Sequence, residues 1–275
     1  MRGVTFDPNP QAAQMADPSM LRNLDAQARA IWPQEEPLFD RYRLRPGARI
    51  LDAGCGPGEI ASRLAEKFPD VRVTGVDLLE EHLHLARARY PQLGDRLQLL
   101  KADAFCLPFP DGTFDLAVSR HVVQAIPDPP RALAELKRVT RPGGYLHVLA
   151  EDYGMIHLHP TRPEVTDFWN EGPPAFGQGQ GVDLHVGRRT FTHLRRLGLQ
   201  DVRVDWIVVD TVRVPRETFA AIFEAWRDGY AGPVAESTRF ADARALFDDM
   251  IACLLHPDGY GVWHVPIVSG QVPGP

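Results

Sequence analysis

Ile50-Leu51-Asp52-Ala53-Gly54-Cys55-Gly56-Pro57-Gly58 is an apolar strand that runs into a glycine-rich turn, and the apolar spacing from Glu59 to Phe68 opens a helix behind it. Val71 to Val76 reads as a second strand ending at Asp77, and Leu97 to Leu100 as a third closed by Asp103. A turn whose glycines accept backbone angles closed to other residues also lets a ligand touch the main chain. Acidic residues at the ends of the next two strands add hydrogen-bond acceptors beside it. Asp77 is placed for the two hydroxyls of a ribose and Asp103 for an exocyclic amine such as that of adenine. Asp52, just before the turn, is an acceptor for a cationic or hydroxyl donor. Together these features predict a pocket for a nucleotide-type cofactor. Taken alone, Gly56 and Gly58 would be a tight turn, and Asp77 or Asp103 a helix N-cap. The combination carries the reading.

Outward from this stretch the alternation continues. Glu80 to Tyr90 is a helix, Phe114 to Val118 a strand, Pro130 to Val139 a helix, and Arg141-Pro142-Gly143-Gly144 a turn into the strand Tyr145 to Ala150. Repeated strand–helix units predict an α/β, Rossmann-like, mostly parallel sheet with helices on both faces. Ligands of such sheets sit at the carboxyl ends of the strands. Ser119-Arg120-His121 and Glu151-Asp152-Tyr153 fall at such ends too.

Upstream, Met20, Leu21, Leu24, Ala28 and Ile31 have helical spacing, with Ser19 as N-cap and Trp32-Pro33 as the stop. A short helix from Glu35 to Tyr42 follows. Residues 1–18 read as a flexible tail, 19–45 as a helical lid, 46–270 as the main domain and 271–275 as a second tail. Cap insertions are expected at about 153–185, which is rich in Pro, Gly and aromatics without a clear period, and at about 213–258, with helices near Pro215 to Asp228 and Ala235 to Leu255. Between them lie a helix, Arg188 to Leu197, and a strand, Val202 to Val209. A final apolar strand, Tyr260 to Val268, closes the sheet.

Composition bounds the function class. The 275 residues are 44% hydrophobic and 24% charged, enough apolar content for a sizeable core. The net charge of −6, with Lys67, Lys101 and Lys137 as the only lysines, argues against a nucleic-acid partner. No apolar run reaches the ~20 residues of a membrane span, and the polar start argues against a secretory signal. Cys55, Cys106 and Cys253 have no metal or redox spacing, so no metal is expected and a reducing cytoplasm is.

In their order along the chain, Ile-Leu-Asp-x-Gly-Cys-Gly-x-Gly, Gly75-Val76-Asp77, Asp103-Ala104-Phe105 with Leu107-Pro108-Phe109, Phe114-Asp115-Leu116 and Leu136-Lys137-Arg138-Val139-x-Arg141-Pro142-Gly143-Gly144 resemble the class I S-adenosylmethionine-dependent methyltransferases. The small-molecule branch that resembles ubiquinone and menaquinone C-methyltransferases is nearest. The resemblance covers roughly Arg45 to Asp152. It implies a seven-stranded sheet whose last strand is antiparallel, with Tyr260 to Val268 as that strand. It implies that the turn from Gly54 through Cys55 and Gly56 to Gly58 packs against the methionine part and ribose of S-adenosylmethionine. Asp77 would hold the ribose with Leu78 against the adenine, Asp103, Ala104 and Phe105 would lie at the adenine edge, and Arg120 near the methionine end. S-adenosylhomocysteine would be the product.

A nicotinamide-dependent oxidoreductase is the rival reading, since Asp77 lies about 20 positions past the turn, where a dinucleotide fold has its acidic residue. The glycines here are spaced Gly-x-Gly-x-Gly, however, and Asp52 and Asp103 have no role in that scheme. A non-catalytic S-adenosylmethionine-binding protein is the other alternative. The Asn/Asp-Pro-Pro-Tyr/Phe signature of base and glutamine methyltransferases is absent after Arg120, as is the paired-glutamate loop of protein arginine methyltransferases, which leaves a small-molecule acceptor. His121, Asp152 and Tyr153 are the candidates for a general base; for His121 packing or a bond to the cofactor stays open beside it. Trp32, His121, His157 and Trp169 are the candidates for the acceptor cavity. Whether O, N or C is methylated, and the oligomeric state, do not follow.

Overall fold

The computed structural model describes Asp7 and residues 9–274. A short helix α1 (Ala12–Met15) leads into α2 (Pro18–Glu35), followed by a 3-10 turn over Glu36–Tyr42. Then come β1 (Arg49–Ala53), α3 (Glu59–Lys67), β2 (Arg72–Asp77), α4 (Glu80–Arg89), β3 (Leu97–Lys101), β4 (Phe114–Arg120), α5 (Pro129–Val139) and β5 (Thr140–Leu149). The second half contains β6 (Ile156–His159), α6 (Glu164–Gln180), α7 (Gly187–Arg196), β7 (Gln200–Asp210), α8 (Arg216–Ser237), α9 (Ala243–Leu255) and β8 (Tyr260–Gln271).

The strands form one sheet. β3, β2, β1, β4 and β5 run parallel side by side, and β8 lies antiparallel to β5 and β7. In register, Leu51 sits between Thr74 and Ala117, and Val148 opposite Val268. β1 and β4 are buried almost throughout, as parallel strands covered on both faces must be. Ile60, Leu64 and Leu83 cover one face; Leu133, Leu136 and Leu194 cover the other. Each such fully buried aliphatic side chain contributes about 1.5–3 kcal/mol relative to exposure. A third cluster, built by α2, α6, α8 and α9 around Phe168, Trp169, Phe223 and Trp263, sits over the far half of the sheet.

The expected Rossmann-like architecture with a single antiparallel strand is present, but an eighth strand joins it. β6 pairs antiparallel with the first residues of β8, Ile156 opposite Trp263 and His159 opposite Tyr260. It lies in the segment read as irregular, and so does α6, a 17-residue helix. Pro173 and Pro174 inside α6, with Gly172, Gly177 and Gly179, break the apolar period that would have revealed it.

Other boundaries differ as well. Asp17, not Ser19, caps α2: its Oδ1 accepts the Ser19 N–H at 2.8 Å, and Pro18 occupies the first turn. α2 runs through Pro33 to Glu35, because a proline near a helix end removes only one bond of the ladder. α8 continues to Ser237 past Pro233, and the break before α9 falls at Thr238–Asp242. Of the expected first tail, residues 1–6 and 8 lie outside the described residues, while α1 falls within it. At the other end Gln271 belongs to β8 and the Val272 N–H bonds to Gly144 O at 2.8 Å, so the expected tail begins later; Pro275 is outside the described residues. Among the described residues no helix is long and apolar enough to cross a membrane.

Candidate functional site

β1 ends in the turn that begins the site. Gly54, Gly56 and Gly58 all have positive φ (77°, 51° and 81°), which only glycine adopts without strain. The Gly54 and Cys55 N–H groups both bond to Val76 O, tying the turn to β2. Asp77, at the end of β2, accepts the Gly56 N–H at 2.8 Å on one carboxylate oxygen and the Leu79 N–H at 2.9 Å on the other. Each oxygen keeps a second lone pair for a ligand. Asp103 accepts the Phe105 N–H at 2.8 Å on Oδ1 alone.

A cavity opens along these strand ends. Gly54, Gly56, Asp77, Leu78, Asp103, Ala104, Phe105 and Arg120 line it, together with His82, Val122 and Ile126. Two residues of the turn shape it from behind. Cys55 is buried against Gly75 of β2, and burial pushes its thiol pKa up; Gly58 starts α3 and abuts Ala86. Asp52 is buried beside Arg120. Burial pushes its carboxyl up to about 7, with Arg120 pulling the other way, and its Oδ2 has no partner within the protein. Nε and Nη2 of Arg120 likewise lack a hydrogen bond, although Nη2 lies 2.8 Å from Glu35 as an ion pair.

A second cavity adjoins the first and shares Met15, Leu24 and His121 with it. Its walls are Phe168, Trp169, Phe176, Leu184, Trp226, Tyr230, Val234 and Phe247, and it encloses about 670 Å³, part of it open to solvent. Small-molecule sites have this mostly apolar lining with a few polar groups. The polar residues include Gln11, just before α1, and Asn23, Gln27, His121, Gln124 and Glu151, from α2, the segment after β4 and the end of β5.

His121 occupies the junction. Its φ of 58° is unusual for a side-chain-bearing residue, of a kind that costs about 1–3 kcal/mol and persists only when neighbours enforce it. The neighbours are its own N–H bonded to Leu149 O at 3.2 Å and Nδ1 at 2.7 Å from Glu151 Oε1. The same Glu151 oxygen accepts from Gln27 Nε2 at 2.8 Å. Burial, and next the charge of Glu151, push the Tyr153 phenol well above its ordinary range. Tyr153 lines the apolar cavity and stacks on Trp169 at 6.1 Å.

Three candidates from the sequence lie elsewhere. Trp32 packs on Phe39 and under the Arg63 guanidinium, outside both cavities. It is five residues past Gln27, about 140° around the helix, so the two face different ways. His157 is an exposed residue of β6 opposite Val262 and lines neither cavity. Asp152 is fully buried in a bidentate pair with Arg188, 2.6 Å on each oxygen, and also accepts the Gly154 and Arg188 N–H groups; it lines neither cavity. Its bonds anchor the chain after β5 to α7. Glu151, Gln27, Gln124 and Asn23 were not singled out from sequence. Only Glu151 carried a signal, its position at a strand end; nothing local marks a pairing across 124 residues.

The comparisons agree with this geometry. Residues 51–148 match the family described as a methyltransferase domain. The chain is 42% identical over 101 residues to a demethylmenaquinone methyltransferase of Thermus thermophilus, covering 37% of this chain and 46% of the relative. It is 41% identical over 160 residues to a 27-O-demethylrifamycin SV methyltransferase of Amycolatopsis mediterranei, covering 57% and 56%. The chain thus spans about half the length of these curated relatives. In fold it resembles a phosphoethanolamine N-methyltransferase of Haemonchus contortus, with a TM-score of 0.64 at 19% identity over 98% of this chain and 60% of the other.

Proposed function

Because residues 51–148 form a class I S-adenosylmethionine-dependent methyltransferase domain, we propose that the protein moves a methyl group from S-adenosylmethionine to a small-molecule acceptor held in the apolar cavity. The observation that carries this is the junction of the two cavities at His121, Met15 and Leu24. It brings a nucleotide-type site and an apolar site together at one point, which is what transfer between two bound molecules requires.

The residues fit the cofactor. Asp77 would hold the ribose hydroxyls on its spare lone pairs, and Asp103 Oδ2 would take the adenine amine. Leu78, Ala104, Phe105 and Ile126 would enclose the ring. Buried polar atoms without a protein partner sit at the other end: Asp52 Oδ2 and Arg120 Nε. Asp52 would meet the ammonium of the methionine part and Arg120 its carboxylate, so that each buried group gains the bond it lacks. S-adenosylmethionine brings a methyl group already activated on a sulfonium, so the chain's tasks are alignment and exclusion of water. Gly54 and Gly56 permit close approach of the main chain, and α1 and α2 cover the junction through Met15 and Leu24. The free cysteines suit a reducing, cytoplasmic setting, and the small cavity suits a small molecule and no nucleic acid.

Calorimetric titration of the protein, stripped of bound product, with S-adenosylhomocysteine and separately with NAD and NADP tests the proposal. Micromolar binding of S-adenosylhomocysteine alone is expected. Binding of a nicotinamide dinucleotide in its place would overturn it.

A further inference from the structure

We propose that the acceptor atom is a hydroxyl oxygen on an uncharged, largely apolar molecule, and that His121 Nε2 takes its proton. The inference rests on the methyltransferase reading above and extends it to the substrate class and the atom that is methylated.

It starts from Glu151. A carboxylate only accepts hydrogen bonds, so the groups that meet Glu151 Oε1 must donate. Gln27 therefore presents its Nε2 at 2.8 Å and His121 its Nδ1–H at 2.7 Å. Both side chains are thereby oriented. Gln27 Oε1 and His121 Nε2 are left as acceptors, both buried and neither with a partner in the protein. Two residues 94 positions apart are turned the same way by one oxygen atom, and both line the apolar cavity. These two atoms, like Asn23 Oδ1 and Gln124 Oε1 in the same lining, await a hydrogen-bond donor, and the unpartnered Gln11 Nε2 and Trp226 Nε1 are left to meet an oxygen.

Charge narrows its identity. Among the described residues the apolar cavity is lined by no lysine or arginine, and by one carboxylate, Glu151. A phosphate or carboxylate on the acceptor would find no cation and would face that charge. An ammonium would find no open carboxylate edge, because the Glu151 side chain is 3% exposed and is engaged by Gln27 and His121. A neutral O–H gives its single proton to one of these acceptors, His121 Nε2, without either penalty, and the walls of Phe168, Trp169, Trp226 and Phe247 take the apolar remainder.

The step balances. The hydroxyl oxygen uses a lone pair to form the O–CH3 bond. The C–S bond of the sulfonium breaks with its electrons on sulfur, giving the neutral thioether. The hydroxyl proton passes to His121 Nε2, and the imidazolium is stabilised by Glu151 until the proton leaves to water. Glu151 is then a positioning residue that fixes the tautomer and supports the charge.

The test combines a spectroscopic and a binding measurement on the whole protein. In 15N NMR, His121 is expected as the Nδ1–H tautomer in the wild type, and to lose that preference in Glu151→Gln. An Nε2–H tautomer in the wild type overturns the proposal. Quenching of tryptophan fluorescence is then titrated in the presence of saturating S-adenosylhomocysteine with 2-naphthol, 2-naphthylamine and 2-naphthoate. 2-Naphthol is expected to bind at least tenfold tighter than 2-naphthoate, and to lose at least tenfold in His121→Phe and in Gln27→Leu. Equal or tighter binding of 2-naphthoate or 2-naphthylamine, no binding of 2-naphthol, or indifference to both substitutions overturns it. With labelled S-adenosylmethionine the ternary complex is expected to give 2-methoxynaphthalene; ring methylation, or no transfer, overturns the oxygen assignment. Failure of S-adenosylhomocysteine itself to bind would instead strike at the methyltransferase reading.

Discussion

Arg120, the last residue of β4, is ion-paired at 2.8 Å with Glu35, the last residue of α2, and both side chains are almost wholly buried. Glu35 also meets His147 Nε2 at 3.0 Å, and His147 Nδ1 lies 2.6 Å from the Tyr42 hydroxyl. The chain of contacts joins the N-terminal helix to β4 and β5 and sets the direction of a guanidinium that lines the cofactor cavity.

Breaking that chain at its centre removes the countercharge of a buried arginine, which typically costs about 3–5 kcal/mol. Glu35→Ala is expected to lose about that much stability, and Glu35→Gln somewhat less because the amide still bonds. Burial pushes the Glu35 carboxyl up, but Arg120 and His147 outweigh it and hold the group below its usual range. A carboxyl depressed in the folded state stabilises above its unfolded pKa of about 4.3, and that contribution fades as pH falls through the lower folded value. Urea midpoints at pH 6 and pH 3.5 should therefore fall more steeply for the wild type than for Glu35→Gln. Parallel declines would show that the pair is not ionised as described.

Asp52 titrates the opposite way. Burial pushes its carboxyl up to about 7, so near neutrality a large share of the free protein carries it uncharged. A ligand ammonium favours the ionised form, so affinity for S-adenosylhomocysteine should rise with pH. Binding at pH 6 is expected to be roughly tenfold weaker than at pH 8, the slope that linkage to one proton gives. Asp52→Asn should flatten the profile. A flat profile in the wild type would remove Asp52 from the ammonium site.

The cofactor half of this site was legible in sequence because its signals are local. The strand with its positive-φ glycines, the acid that ends β2 and the acid that follows β3 can each be read from a few neighbouring residues, and the topology then sets them side by side. The acceptor half was not, for physical reasons that differ by residue. Gln27 and Glu151 meet only because α2 crosses the end of β5. Trp32 has the composition of a cavity residue but the wrong helical phase. α6 contributes Phe168, Trp169 and Phe176 through a helix whose prolines and glycines hide its period. Asp152 looked catalytic because it follows a strand end, yet its neighbour Glu151 faces the cavity, and successive residues of an extended segment point opposite ways.

Asp152 should accordingly behave as an anchor. Asp152→Ala strands the Arg188 guanidinium and the two N–H groups that the carboxylate accepts, so a stability loss of about 2–4 kcal/mol is expected. Affinity for S-adenosylhomocysteine in the folded fraction should stay within about threefold of wild type, because Asp152 lines neither cavity. Melting temperature and calorimetry on the same preparation separate the two effects. A selective loss of binding at unchanged stability would return Asp152 to the site.

Gly54 offers the sharpest test of the turn. A Cβ built there overlaps Cγ2 of Val122, and the φ of 77° strains any side-chain-bearing residue independently of space. Gly54→Ala should thus suffer from two separable causes. The conformational part, about 1 kcal/mol, belongs to the backbone and no neighbour relieves it. The steric part belongs to Val122, which itself lines the cofactor cavity, so the clash is expected to displace Val122 and weaken S-adenosylhomocysteine binding by at least tenfold. Val122→Ala removes the atom that is struck. In a double-mutant cycle Gly54→Ala with Val122→Ala should therefore regain most of the lost affinity but only part of the lost stability, with a coupling of about 1–3 kcal/mol. Strict additivity of the two substitutions would mean that the turn does not rest on Val122, and that the glycine at position 54 answers to backbone conformation alone.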